Sequence, residues 1–214
     1  MRVERFQVGP WENNLYLLRA DDGPDAMVVD PSMDSEGALR EILGRGLLVR
    51  RILLTHAHID HILMARRFHD ATGAPVWLHA ADRWIYEHAE ETATAFGLPW
   101  AGAPEIGHWI ENGEEVGLPG LPVLARATPG HSPGSVTFET KAGLLVGDVL
   151  FAGSVGRTDL PGGDWNTLVA SVRDVLFTFD NDTPVRPGHG PETTIGQERR
   201  ANPFVGDHVV GIEG

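Results

Sequence analysis

Short apolar runs and helical repeats alternate through the first half of the chain, and the second half is mostly short runs. Val3–Val8, Asn14–Arg19 and Ala26–Val29 predict three strands, the last ending in Asp30-Pro31. Leu39, Ile42 and Leu43 then recur at helical spacing, with Asp34 or Ser35 as N-cap and Gly44 as the stop. Arg51–Leu54 predicts a strand that stops at Thr55-His56, and Ile59–Asp70 a helix that begins directly after the histidines. Pro75–His79 follows as a strand and Asp82–Phe96 as a helix ended by Gly97 and Pro99. Beyond Glu105 the expected strands are His108–Ile110, Glu114–Val116, Val123–Ala127, Ser135–Glu139 and Gly143–Val146. A helix over Asn166–Phe179 and a strand over Pro184–Arg186 complete the pattern. This order predicts an α+β fold of two sheets covered by helices, not a regular βαβ parallel sheet. No internal boundary stands out, so one domain is expected over residues 1–214.

Composition narrows the function. Seventeen basic against 30 acidic residues give a net charge of −13, which repels phosphate backbones and anionic membranes. Nucleic-acid and membrane partners are therefore not expected. The chain has no cysteine, which removes disulfide scaffolds, cysteine nucleophiles, iron–sulfur clusters and thiolate zinc sites. Met1–Pro10 holds Arg2, Glu4 and Arg5 and no apolar block, unlike a signal peptide, and no run approaches the ~18 apolar residues of a membrane span. A cytoplasmic protein is the expectation.

The strongest local signal is Thr55-His56-Ala57-His58-Ile59-Asp60-His61. Neutral imidazole and carboxylate are the nitrogen and oxygen ligands that suit zinc or iron. His56 and His58 leave a strand end two residues apart, where a tight loop can converge both rings, and Asp60 and His61 fall on the first turn of the next helix. Three more fragments end strands in sharp turns: Thr128–Ser135 with His131, Val146-Gly147-Asp148, and Pro187-Gly188-His189-Gly190-Pro191. Singly, each reads as an ordinary turn. Together they place one further ligand type at each of three strand ends, where loops on a rigid scaffold can converge.

The order and spacing of these fragments, with Asn13-Asn14 and Val29-Asp30-Pro31, resemble the metallo-β-lactamase superfamily, and within it the hydroxyacylglutathione hydrolase (glyoxalase II) branch, over nearly the whole chain. The resemblance implies a four-layer αββα sandwich with a metal site at one edge of the paired sheets. It implies that His56, His58 and His131 bind one metal, that Asp60, His61 and His189 bind a second, and that Asp148 bridges both. Asp60 and Asp148 are then the catalytic carboxylates, and the cofactors two divalent ions, zinc first, with iron or a mixed pair as the alternatives. Asp30 and Thr55 are candidates to orient the imidazoles, with a plain strand-end turn as the other reading of each.

Departures from the pattern choose among branches. Zinc β-lactamases of one major class use a cysteine ligand, flavodiiron proteins carry Glu where His58 stands, and the RNA-processing nucleases need a basic surface. Glyoxalase II enzymes continue into a C-terminal helical domain, for which the stretch after His189 leaves no room, so the chain resembles the short members of that branch. The function implied is a dinuclear metallohydrolase of a thioester, S-lactoylglutathione or a related acyl-glutathione, with a small molecule as its only expected partner and the oligomeric state open. The competing readings are a mononuclear iron persulfide dioxygenase, whose Gly-Arg-Thr-Asp stretch Gly156-Arg157-Thr158-Asp159 resembles, a hydrolase of another ester or lactone, and a non-catalytic metal-binding module. Arg157 is the expected substrate contact, because its planar fork suits a carboxylate; a loop-bracing pair with Asp159 is the other reading. His69, His79, His88, His108 and His208 read as surface or core residues, with His79 nearest the expected rim. The tryptophans read as packing or rim residues, with Trp11 near the loop that borders the pocket.

Overall fold

Period-two alternation sends neighbouring strand side chains to opposite faces, and in the central strands both faces are buried. The computed structural model describes residues 1–209. Its first sheet runs in the order β1 (Arg2–Val8), β2 (Asn13–Arg19), β3 (Asp25–Val29), β4 (Leu48–Leu53), β5 (Val76–His79) and β6 (Ile106–Ile110). β1, β2 and β3 pair antiparallel, whereas β3 through β6 are parallel. The second sheet uses β7 (Val123–Ala127), β8 (Val136–Thr140), β9 (Gly143–Gly147), β12 (Pro184–Pro187) and β13 (Thr193–Thr194), in the order β13-β12-β9-β8-β7. A small hairpin, β10 (Leu150–Phe151) and β11 (Ser154–Val155), projects from the end of β9.

Leu15, Leu17, Ala26, Val28 and Ile52 face an outer core with α1 (Glu36–Gly44), α2 (Ile59–Ile62), α3 (Ala65–Thr72), α4 (Arg83–Glu87) and α5 (Ala89–Ala95). Their neighbours Tyr16, Leu18, Met27, Val29 and Leu53 face inward and meet Val123, Ala125, Phe138 and Leu145 of the second sheet. Leu144 and Val146 point out of that sheet onto α6 (Trp165–Ala170), its continuation and α7 (Ile195–Ala201). The result is the expected α+β sandwich, with layers in the order αββα.

The helices differ from their sequence patterns in instructive ways. The expected helix Ile59–Asp70 divides into α2 and α3, because the Met64 N–H donates to the Pro31 carbonyl at 3.0 Å. Its helical partner, the Asp60 carbonyl, accepts instead from the Met33 N–H at 3.1 Å. The loop after β3 thus takes one rung of the helix ladder and ties α2 down beside Asp30. Asp82–Phe96 likewise divides at His88, whose Nδ1 hydrogen-bonds the Trp84 carbonyl at 2.8 Å. Asn166–Phe179 is helical only to Ala170, then passes through a wide π-type turn and a 3-10 turn. Glu114–Val116 is not a strand: it contributes one bridge, Glu115 to Leu124. The β10–β11 hairpin, β13 and α7 lie outside the expected elements.

Candidate metal centre

Strand polarity builds the site. β3, β4 and β5 are parallel, so their C-terminal ends share one edge of the first sheet and release Asp30, His56-Ala57-His58 and, after His79, Asp82. In the second sheet β9 and β12 are parallel and β7 runs the same way, with β8 antiparallel between β7 and β9. Their C-terminal ends release His131, Asp148 and His189. The two edges are stitched together where Asn14 N–H donates to the Gly188 carbonyl at 2.7 Å and Val136 N–H donates to the Thr55 carbonyl at 2.8 Å.

All seven predicted residues meet there. One ring nitrogen each from His56, His58 and His131 lies within 4.8 Å of the others, as do ligand atoms of Asp60, His61 and His189. Asp148 stands between these groups: Oδ2 is 3.7 Å from His131 Nε2 and 3.4 Å from His189 Nε2, and Oδ1 is 3.3 Å from His61 Nε2. Two glycines make this crowding possible. A Cβ on Gly188 would collide with Asp148 Oδ1 and His61, and one on Gly147, at φ +52°, would lie 2.5 Å from Thr55 Oγ1.

The imidazoles are turned by their far nitrogens. His131 Nδ1 hydrogen-bonds the Arg157 carbonyl and His189 Nδ1 the Trp11 carbonyl, each at 2.7 Å, so both present Nε2 to the centre. Asp30 has the orienting role: Oδ2 is 3.0 Å from His61 Nδ1 and accepts the Thr55 hydroxyl at 2.6 Å, and Oδ1 accepts the Thr55 N–H at 2.8 Å. Thr55 Oγ1 in turn lies 3.0 Å from His56 Nδ1. Asp30 adopts φ +50°, a left-handed conformation that a short polar side chain tolerates.

Two further contributors have no role predicted from sequence, although Asn13 belongs to a fragment that carries the resemblance. Asn13 donates its amide to Asp60 Oδ2 at 2.8 Å. Asp82, read as the start of a helix, makes no cap hydrogen bond with its side chain. It is buried instead between the ligand loops, where Oδ2 accepts from Ala57 N–H at 2.9 Å and Ser132 Oγ at 2.8 Å, and Oδ1 from Gly134 N–H at 2.6 Å.

These residues fit a cation. His56 Nε2 and Asp148 Oδ1 are buried without a hydrogen-bond partner and face the cluster. Burial, reinforced by the neighbouring rings, pushes His56 far below the usual imidazole range and His58 down to about 3, leaving both neutral and able to donate a lone pair. Around the second group the balance reverses. Burial opposes a charge on His61, but Asp148 and Asp60 outweigh it and raise the imidazole well above its ordinary range. His189, also opposed by burial, is raised to about 10 by the same two carboxylates. His56 and His58 thus present neutral donors, whereas the surroundings of His61 and His189 favour positive charge.

His58, Asp60, His131, Asp148 and His189 of the cluster line a cleft of about 360 Å³ whose walls include Trp11, Trp84, Ile85, Phe96, Leu160 and Pro161. His88, read from sequence as a bland residue, is on this wall, stacked on Trp84. His79 is not among the lining residues; its ring accepts from Ala81 N–H. Arg157 lines the mouth, with its guanidinium in a bidentate pair with Asp159 at 2.6 and 2.7 Å.

A four-layer αββα sandwich with a histidine–aspartate cluster at the common edge of its sheets defines the class. The family model of the metallo-beta-lactamase superfamily matches residues 8–189, and the chain belongs to that superfamily. It is similar to hydroxyacylglutathione hydrolase GloC of Haemophilus influenzae, 36% identical with 96% of this chain and 98% of the relative covered. Among solved structures it is similar to the BLEG-1 B3 metallo-beta-lactamase, at 38% identity and TM-score 0.88, covering 95% of this chain and 99% of that one. It is also similar to TTHA1623 in a di-iron-bound form, at 41% identity and TM-score 0.85, covering 94% and 100%. The chain is a hydrolase of the metal-dependent kind.

Proposed function

We propose that the chain is a dinuclear metallohydrolase of thioesters, in which His56, His58 and His131 hold one ion, Asp60, His61 and His189 the other, and Asp148 spans the two. The observation that carries this reading is the donor geometry. Neutral imidazoles, partnerless His56 Nε2 and Asp148 Oδ1, and a carboxylate reaching both groups are what two ions sharing one bridge require. Such a pair supplies hydroxide at neutral pH and polarises a carbonyl.

The protein's part is positioning. The Arg157 and Trp11 carbonyls fix the His131 and His189 rings, Asn13 steadies Asp60, and the apolar walls limit water around the scissile bond. Most titratable groups of the cleft belong to the cluster itself. That suits a thioester, because a thiolate, with a thiol pKa of about 8.5, departs without a dedicated general acid. The GloC relative makes S-lactoylglutathione the first thioester to assay, with zinc, iron or a mixed pair as the ions to load.

The test combines metal analysis of the purified protein with thiol release from S-lactoylglutathione. Two metals per chain and hydrolysis are expected. One iron per chain, with oxygen uptake on glutathione persulfide and no thiol release from thioesters, would replace this reading with the dioxygenase chemistry that Gly156-Arg157-Thr158-Asp159 suggests.

A further inference from the structure

Six large hydrophobic side chains are notably exposed among the described residues, and three of them line one cleft. Trp11 is 43% exposed, Trp84 56% and Phe96 60%. They come from the β1–β2 turn, α4 and the end of α5, so no single amphipathic helix accounts for them. Trp11 and Phe96 meet edge to face with centroids 6.2 Å apart, and Trp84 stacks on His88 at 4.3 Å. Exposed aromatic surface gathered at one place marks an interaction site. This one is concave and continuous with the metal-binding floor, which is the form of a small-molecule site.

Charge selects among small molecules. The lining residues include one arginine and no lysine, and that arginine, Arg157, is already committed to Asp159. Glu91 adds a negative charge to the same lining, on a chain of net charge −13. Away from the metal-binding floor, an anionic substrate body thus finds no uncommitted arginine or lysine to pair with. An apolar chain finds aromatic walls on several sides.

We propose that Trp11, Trp84 and Phe96 form the recognition wall for an extended apolar chain on the thioester substrate, and that this wall, not a carboxylate clamp, sets specificity. The inference rests on the hydrolase reading given above and names its substrate class.

The experiment uses the metal-loaded protein and two series of thioesters. One keeps N-acetylcysteamine as the thiol and lengthens the acyl group from acetyl to octanoyl; the other keeps acetyl and lengthens an alkyl thiol. In at least one series kcat/KM should rise about three- to fourfold per methylene until the cleft is filled. Trp84→Ala and Phe96→Ala should lower the long-to-short ratio of that series about tenfold or more, while Trp84→Phe keeps most of it. A non-hydrolysable S-octyl thioether should shift tryptophan emission to the blue and bind correspondingly more weakly to Trp84→Ala.

Hydrolysis that is indifferent to chain length in both series overturns the wall and leaves the hydrolase reading standing. Trp84-dependent thioether binding without hydrolysis of any thioester does the reverse. A parent protein that sediments as a dimer, against a monomeric Trp84→Ala, would assign the patch to a second copy and overturn the proposal.

Discussion

Asp82 touches no predicted metal ligand, yet replacing it should cost both stability and metal. Its carboxylate is fully buried and accepts from Ala57 N–H, Ser132 Oγ and Gly134 N–H, so it clamps the His56–His58 loop to the His131 loop. In Asp82→Ala the Ser132 hydroxyl can fall back on Ser135 Oγ, 2.8 Å away. The two backbone N–H groups have no such alternative, and each orphaned donor costs about 1–3 kcal/mol. Burial pushes the Asp82 carboxyl above its usual range despite its donors, so part of that cost is returned when the acid is removed. A net loss of about 2–4 kcal/mol is expected, which leaves a typical domain folded and lowers Tm by roughly 5–12 °C. Loosened loops should weaken the ion held by His56, His58 and His131 about 10- to 100-fold. Calorimetric melting checks the first effect, and metal retention during competition with a graded chelator the second. Gly134→Ala probes the clamp from the other side, because its Cβ would lie 2.7 Å from the Asp82 carboxyl carbon. An Asp82→Ala protein with parental Tm and parental metal affinity would refute the clamp.

The remaining expectations concern the centre itself. Asp148→Asn should fold but lose at least one ion, because an amide bridges two cations poorly; metal analysis checks it, and two tightly held ions with normal turnover would contradict the bridge. His131→Ala and His189→Ala should each deplete a different ion, visible as separate steps in a metal titration of the parent that vanish one at a time. Loading the Asp60–His61–His189 group at pH 7 should release at least one proton, because His61, raised well above its ordinary range, and His189, raised to about 10, bind protons there that a metal must displace, whereas His56 and His58, already neutral, release none. Affinity of that group should therefore rise with pH through the neutral range, and calorimetry in buffers of different ionisation enthalpy counts the protons. Arg157→Ala should change KM for S-lactoylglutathione by less than about threefold, since an exposed ion pair already occupies the guanidinium; a tenfold rise would show that the pair opens for substrate.

The convergence of the seven candidate residues was legible because metal chemistry restricts residue type and strand ends restrict place. Histidine and aspartate at the ends of four strands, β4, β7, β9 and β12, form a pattern that local turns rarely produce, and the chain brings all seven together. Asp82 was not legible for the opposite reason. An aspartate opening a helix is ordinary, and only the fold shows its carboxylate turned away from the helix toward Ala57 and Gly134. The division of Ile59–Asp70 was hidden in the same way, since the competing partners of Met64 and Asp60 lie about thirty residues earlier, at Pro31 and Met33. Periodicity reports which face is apolar; it cannot report a hydrogen bond taken by a distant loop. The tryptophans read as packing or rim residues in sequence, and only the exposure of Trp84 beside the cluster decides between the two for that residue.

The same edge that gathers the candidate ligands also gathers tight backbone contacts and a left-handed aspartate. Asp30 sits at φ +50°, Gly147 at φ +52° against Thr55, and Gly188 with no room for a side chain beside Asp148. His56 Nε2 and Asp148 Oδ1 are buried there without partners. Elsewhere the alternation of Leu15–Leu18 and Ala26–Val29 satisfies two cores at once, with local pattern and tertiary structure in agreement. Departures from that consistency concentrate at functional sites, where a ligand compensates what the fold alone does not. Ions that bind only the folded chain would satisfy the orphaned donors and stabilise it by mass action. The strands of both sheets thus make a scaffold stable enough to hold an unfavourable edge, and that edge is completed by what it binds.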